Sequence, residues 1–209
     1  MLGIAIAFAA ACCWGFSDFA AGLFSRRLPV LGVLFFVEGA GLVTLLVVIA
    51  IVAPPFPDTG QALAAAAAGT AGVVALGLFY RALSIGSMSI VAPIAATGAV
   101  VPVVVGIVRG DRVTVLIGAG LLVAFVGILL ASREAEEEAE RSPATRLSVL
   151  LALGAALGFG LFFTGYDRAA PGGVLWAAAL ARCAAVPLVT IAVLATRTRL
   201  PRGRDALGL

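Results

Sequence analysis

The sequence predicts an all-α membrane protein, a transmembrane bundle of about seven helices. Three observations predict it. Hydrophobic residues make up 62% of the 209-residue chain and charged residues only 12%. The mean hydropathy is +1.16. The apolar residues fall into long runs that are apolar all round rather than striped, which fits lipid and not a water-facing helix. Soluble domains are about half apolar and about a quarter charged, so a soluble fold would lack the polar surface to cover this chain.

The runs are justified one by one along the chain. A hydrocarbon core about 30 Å thick needs about 20 helical residues at about 1.5 Å each. Spans are read at 2–24, 30–53, 62–83, 89–108, 113–132, 147–166 and 174–196. Ser25-Arg26-Arg27-Leu28-Pro29 ends the first run, and Pro54-Pro55-Phe56-Pro57-Asp58 ends the second. Gly110-Asp111-Arg112 separates the fourth from the fifth. No run alternates residue by residue as a membrane barrel strand would. Pro93 and Pro102 lie inside the fourth run, remove two backbone donors and are expected to kink it. Small residues recur every fourth position at Gly98, Pro102 and Gly106, and at Gly154 and Gly158. They are read as faces for close helix packing.

Composition also excludes chemistry. The chain has no histidine, so His-based acid–base work and His-ligated metal sites are out, and no cofactor or metal is expected. Cys12, Cys13 and Cys183 lie in apolar runs without C-x-x-C spacing and are read as buried small hydrophobes. Ala9-Ala10-Ala11-Cys12 has the look of a lipoprotein cleavage site, but no basic residue precedes Arg26, which rejects a signal peptide. The net charge of +3 comes from arginines between apolar runs. They bear on membrane orientation and not on nucleic acid. Neither Gly-x-Ser-x-Gly nor a paired-aspartate Gly-x-Gly-Asp motif occurs, so no enzyme is expected.

One strongly polar stretch, Arg133 to Arg141, divides the chain, and its run of glutamates is read as a solvated linker. The segment after the linker resembles the beginning of the chain. Trp14-Gly15-Phe16 is echoed by Leu157-Gly158-Phe159, and Gly22 falls opposite Gly165 at the same spacing. Each is succeeded by a charged turn, a second apolar run and a Pro-containing loop. Weak internal symmetry of this kind is typical of transporters, and an odd helix count per repeat inverts the second copy. The expected organisation is a first five-helix repeat over 1–132, a charged linker over 133–146, and an incomplete second repeat of two helices over 147–209. On that reading the chain is a fragment or a truncated product.

Phe79-Tyr80-Arg81-Ala82-Leu83 with Ser84-Ile85-Gly86-Ser87-Met88 and Pro93 beyond resembles the EamA-domain branch of the drug/metabolite transporter superfamily. Trp14-Gly15 resembles that family's first-helix Trp-Gly pair, and Phe16-Ser17-Asp18-Phe19 one subset's continuation. Pro102-Val103 with Gly110-Asp111-Arg112 resembles its Pro-Val and Gly-Glu-Arg pattern, with Asp111 in place of the usual glutamate. The resemblance covers 1–132 well and 147–209 loosely. It implies a ten-helix inverted-repeat transporter fold that moves small metabolites, amino acids or drug-like compounds. The class follows from the fold and the cargo does not.

Site candidates come from the residues themselves. Asp18 and Glu38 are acids inside apolar spans, where a charge costs at least about 2.5 kcal/mol, so each must face the bundle interior or a wet cavity. Both sit roughly 10–14 Å in from the same side and can share a cavity. A protonatable pair suits proton coupling, while hydrogen bonding to a neighbouring helix, or a position near the water line, is the plainer role. Arg182 enters from the opposite side and either binds an anionic substrate group or pairs with one of the acids. Trp14 and Tyr80 either line a cavity or pack as core aromatics.

Orientation is left open. Arg26, Arg27, Arg81, Arg133, Arg141, Arg146 and the tail arginines fall on one side, and Arg109, Arg112 and Arg168 on the other. Positive-inside counting puts the N-terminus outside, and the resemblance implies the reverse. The favoured function is small-molecule transport by alternating access, proton-coupled or by exchange, in a bacterial plasma membrane. The alternative is a truncated, non-transporting membrane partner. Expected partners are the lipid bilayer, a small-molecule substrate and, if the cavity has an open side, a second copy of the chain.

Overall fold

The computed structural model describes residues 2–111, 114–115, 118–120, 122–124, 126–127, 130 and 143–200. Seven α-helices are set out among these residues: α1 (Leu2–Ser25), α2 (Val30–Val52), α3 (Thr59–Ile85), α4 (Met88–Ala96), α5 (Val100–Val108), α6 (Pro143–Ala169) and α7 (Val174–Ala195). The described residues between 115 and 130 are mostly helical as well. The fifth expected span is thus described only in part, and the charged linker over 133–141 lies outside the described residues. Six helical runs are long and apolar enough to cross a membrane, with α4 and α5 together forming one of them. The chain is a multi-pass, all-α membrane protein among its described residues.

The helices stop and start where local chemistry dictates. α2 ends at Val52 because Pro54 and Pro55 cannot continue it, and Ala53 closes it in the left-handed region with φ 48°. α3 begins three residues before the hydropathy boundary. Asp58 Oδ1 accepts from the Gln61 backbone N–H at 2.8 Å, and the Gln61 side chain accepts from the Asp58 N–H at 3.1 Å. This reciprocal capping box satisfies two donors that the helix itself leaves free. At the other end of α3, Arg26 donates from Nε to the Leu83 carbonyl at 3.3 Å and from Nη2 to the Gly86 carbonyl at 3.2 Å.

The fourth span is broken, as its prolines predict. α4 and α5 are separated by a 3-10 turn, Thr97–Ala99, that lies between Pro93 and Pro102. Pro102 has no N–H to offer the Gly98 carbonyl, four residues back. That carbonyl faces the backbone of Gly160 on α6, where an added Cβ would stand 3.0 Å from it.

α3 is the central helix. It packs most extensively on α6, then on α7, and also meets α1 and α2. Its alanines and glycines explain the position, since Ala65, Ala68, Gly69, Gly72, Ala75 and Ala82 are all buried. Small residues let helix backbones approach closely, the main source of cohesion where lipid competes equally for apolar side chains. A Cβ on Gly69 would overlap the backbone of Ala181 on α7, and one on Gly98 would meet the Ala156 carbonyl on α6. Gly158 likewise abuts Ala75, whereas Gly106 faces the side chain of Asp111 rather than another helix.

The outer surface is apolar, with Ile6, Phe8, Phe16, Val43 and Ile51 among many exposed side chains. This corrects the reading of the cysteines. Cys12, Cys13 and Cys183 face outward and are not interior packing residues. In a bilayer, lipid chains solvate such faces, so an apolar run does not tell which of its residues point inward.

Candidate functional site

α1 brings Trp14 and Asp18 to one face, since residues four apart are neighbours on a helix. Asp18 is partly buried, and the Tyr80 hydroxyl donates to its Oδ1 at 3.3 Å. Tyr80 is 1% exposed, so its ring is locked by packing and its hydroxyl is fixed in place. The Trp14 indole lies within reach of the same carboxylate. Among the described residues Asp18 has no basic partner.

α2 and α7 supply the second polar pair. Arg182 Nη1 donates to Glu38 Oε2 at 2.9 Å, with the glutamate side chain 5% exposed and that of the arginine 34% exposed. The guanidinium lies directly over Gly41, one turn beyond Glu38. Any side chain there would occupy its place. Trp14 borders both a hollow beside Asp18 and a hollow beside Glu38 and Arg182. The two pairs therefore belong to one polar cluster inside the apolar bundle.

Two hollows surround this cluster. One, of about 410 Å³, is bordered by Trp14, Asp18, Phe79 and Met88, by Ala95, Ala96 and Ala99 at the break of the fourth span, and by Phe159 and Phe163. The other, of about 260 Å³, is bordered by Trp14, Glu38, Gly72, Phe162, Tyr166 and Arg182. They share a wall of Trp14, Phe159 and Phe163. The Trp14 and Phe163 ring centroids are 6.0 Å apart at an interplanar angle of 48°. The larger volume suits a small molecule held against apolar walls by a few polar groups.

The structure therefore gathers Asp18, Tyr80 and Trp14 on one side and Glu38 with Arg182 on the other. Asp18 and Glu38 are not partners of each other, since each has its own donor. Tyr80 is a core residue whose hydroxyl alone reaches the site, whereas Trp14 borders both hollows. Pro93 and Pro102 border neither of these two, although Ala95, Ala96 and Ala99 between them do. A third hollow at one end of the bundle contains Pro102, Arg109, Asp111 and Asp167. Its Arg109–Asp167 pair is 3.9 Å long and exposed, so it adds little.

Sequence reading missed the aromatic stripe of α6 and also Gly41. Phe159, Phe162, Phe163 and Tyr166 stand at i, i+3, i+4 and i+7, the period of one helix face. That period was the available signal. Gly41 had none, because its role depends on an arginine far along the chain.

Searches of curated proteins and of solved structures return no match. The family model described as the EamA-like transporter family matches residues 1–133, which include Trp14, Asp18, Glu38 and Tyr80. A match over more than half of the chain, to a membrane bundle with polar groups around internal hollows, places the chain in the EamA-like transporter family.

Proposed function

We propose that the chain carries small metabolites or drug-like molecules across a membrane by alternating access, with its cargo held between α1, α3, α6 and α7. The observation that carries this reading is Asp18. It is an ionisable carboxylate well inside a membrane span, it borders a cavity, and no cation neutralises it among the described residues. Such a group is costly in a bilayer and is retained where charge is used. Asp18 is the proposed site of proton coupling. The Glu38–Arg182 pair is proposed to hold α2 against α7 beside the cargo. The broken fourth span supports the same reading, because interrupted helices border the cargo sites of many carriers. A bacterial plasma membrane is the proposed location, on the strength of the family.

The test is uptake of a panel of labelled small metabolites into liposomes containing the purified chain, with and without a pH gradient. Saturable uptake that responds to the gradient and is lost in Asp18→Asn supports the proposal. In parallel, Ala96→Cys in a chain without its native cysteines should react with impermeant thiol reagents from either membrane face. One-sided reaction together with no saturable uptake would leave the chain a non-transporting membrane partner.

A further inference from the structure

We propose that the cavity selects small organic cations with an apolar body, recognised by the Asp18 carboxylate and the Trp14 ring. This deepens the transport reading and rests on it. Three intramembrane charged residues border the two hollows among the described residues: Asp18, Glu38 and Arg182. Glu38 is neutralised by Arg182 at 2.9 Å. Asp18 meets only neutral donors among the described residues, so no fixed cation offsets the charge it carries when ionised.

The walls suit the same ligand. Trp14, Phe79, Phe159 and Phe163 border the hollow around Asp18, and the polar surface among them is small. Aromatic faces attract a desolvated cation, tryptophan most strongly, and they also accommodate an apolar body. An anionic ligand fits less well. The charge of Arg182 is already offset by Glu38 at 2.9 Å, so the hollow that Arg182 borders offers an anion no net positive charge. An anion would also sit within the field of Asp18, which repels it.

The test uses the protein's own fluorescence. The chain has two tryptophans. Trp176 stands outside the two hollows, against Phe56 at 4.9 Å and donating to the Pro54 carbonyl at 3.1 Å. In a full-length Trp176→Phe chain in detergent, Trp14 is the sole reporter. Phenethyltrimethylammonium, neutral N-acetylphenethylamine and anionic 3-phenylpropionate are titrated in turn. The cation is expected to quench saturably and to bind at least about tenfold more tightly than the neutral probe. Asp18→Asn keeps an acceptor for Tyr80 and removes the charge. It is expected to weaken the cation at least about tenfold and to leave the neutral probe unchanged.

Equal binding of all three probes overturns the proposal, as does cation binding that Asp18→Asn leaves intact. Tighter binding of 3-phenylpropionate, lost in Arg182→Met, would reverse the sign of the substrate while leaving the cavity a cargo site. Failure of every probe to saturate also overturns the cation assignment. The transport reading is judged separately, by the liposome uptake panel.

Discussion

Arg182 reaches Glu38 by lying across Gly41, where an added Cβ would stand 2.7 Å from its guanidinium carbon. Three residues on two helices therefore form one device: the acid, the arginine, and the missing side chain that lets them meet. Because Glu38 is almost fully enclosed, losing its partner strands a charge, whereas losing both charges does not.

This predicts a non-additive mutation cycle. Glu38→Gln and Arg182→Met are each expected to lower stability by about 1–3 kcal/mol, with the partial exposure of the arginine holding the loss below that of a fully enclosed pair. The double variant should recover most of either loss. Gly41→Ala should behave like the single variants, because it pushes the guanidinium off the carboxylate. Thermal unfolding in detergent measures all four, and simple addition of the two single losses would refute the coupling.

Gly69 gives a second prediction. Its Cα faces the Ala181 backbone so closely that a methyl group has nowhere to go, and backbone cannot yield as a flexible side chain can. Gly69→Ala is expected to separate α3 from α7 and to cost about 1–3 kcal/mol or more. Gly39→Ala is the control. Nothing lies within 4 Å of the methyl group it adds, so helix propensity makes it neutral or slightly stabilising. Size-exclusion profiles and melting temperatures of the two variants should diverge, and equal behaviour would show that the α3–α7 contact is too loose to exclude a methyl group.

These residues show what was legible in advance. Run lengths and prolines located six of the seven expected spans, because membrane thickness and the missing proline N–H act locally. Asp18, Glu38 and Arg182 stood out because a charge in an apolar run is conspicuous wherever it points. Pairing of Arg182 with an acid was one of two readings, but which acid was open, and the Tyr80–Asp18 contact was not foreseen. Tyr80 lies 62 residues from Asp18, and Arg182 lies 144 from Glu38. Such pairings follow from helix packing, which in turn depends on glycines whose importance is visible only once the neighbouring backbone is placed. The same blindness misread the cysteines, since lipid accepts apolar side chains as readily as a protein core does.

Arg26 supplies a third prediction. Its two hydrogen bonds fall on the Leu83 and Gly86 carbonyls at the C-terminal end of α3, where backbone acceptors lack partners and the helix dipole favours a cation. Arg26→Gln is expected to cost about 1 kcal/mol and Arg26→Lys less, since lysine keeps the charge. Hydrogen exchange should report the loss as faster exchange confined to the end of α3 and the α3–α4 turn. Uniform acceleration along the helix would instead mean that Arg26 supports the bundle as a whole.

The same end of the bundle gathers most of the arginines, and this fixes an expected orientation. Arg26 is tied to the α3–α4 turn, and Gly86 in that turn faces Ser148 near the start of α6. Arg27, Arg81, Arg146, Arg197 and Arg199 fall at that end, with no acid beside them among the described residues. Asp58, Asp111 and Asp167 lie at the opposite end with Arg109 and Arg168, where Gly172 packs on Gln61 and Trp176 on the Pro54 turn. Positive-inside bias therefore predicts that the arginine-rich end is cytoplasmic. In a chain without its native cysteines, Leu200→Cys should be protected from an impermeant thiol reagent on intact cells, and Phe56→Cys should react. The reverse pattern would restore the orientation that family resemblance implies, with the N-terminus inside, and would mean that this arginine asymmetry does not govern insertion.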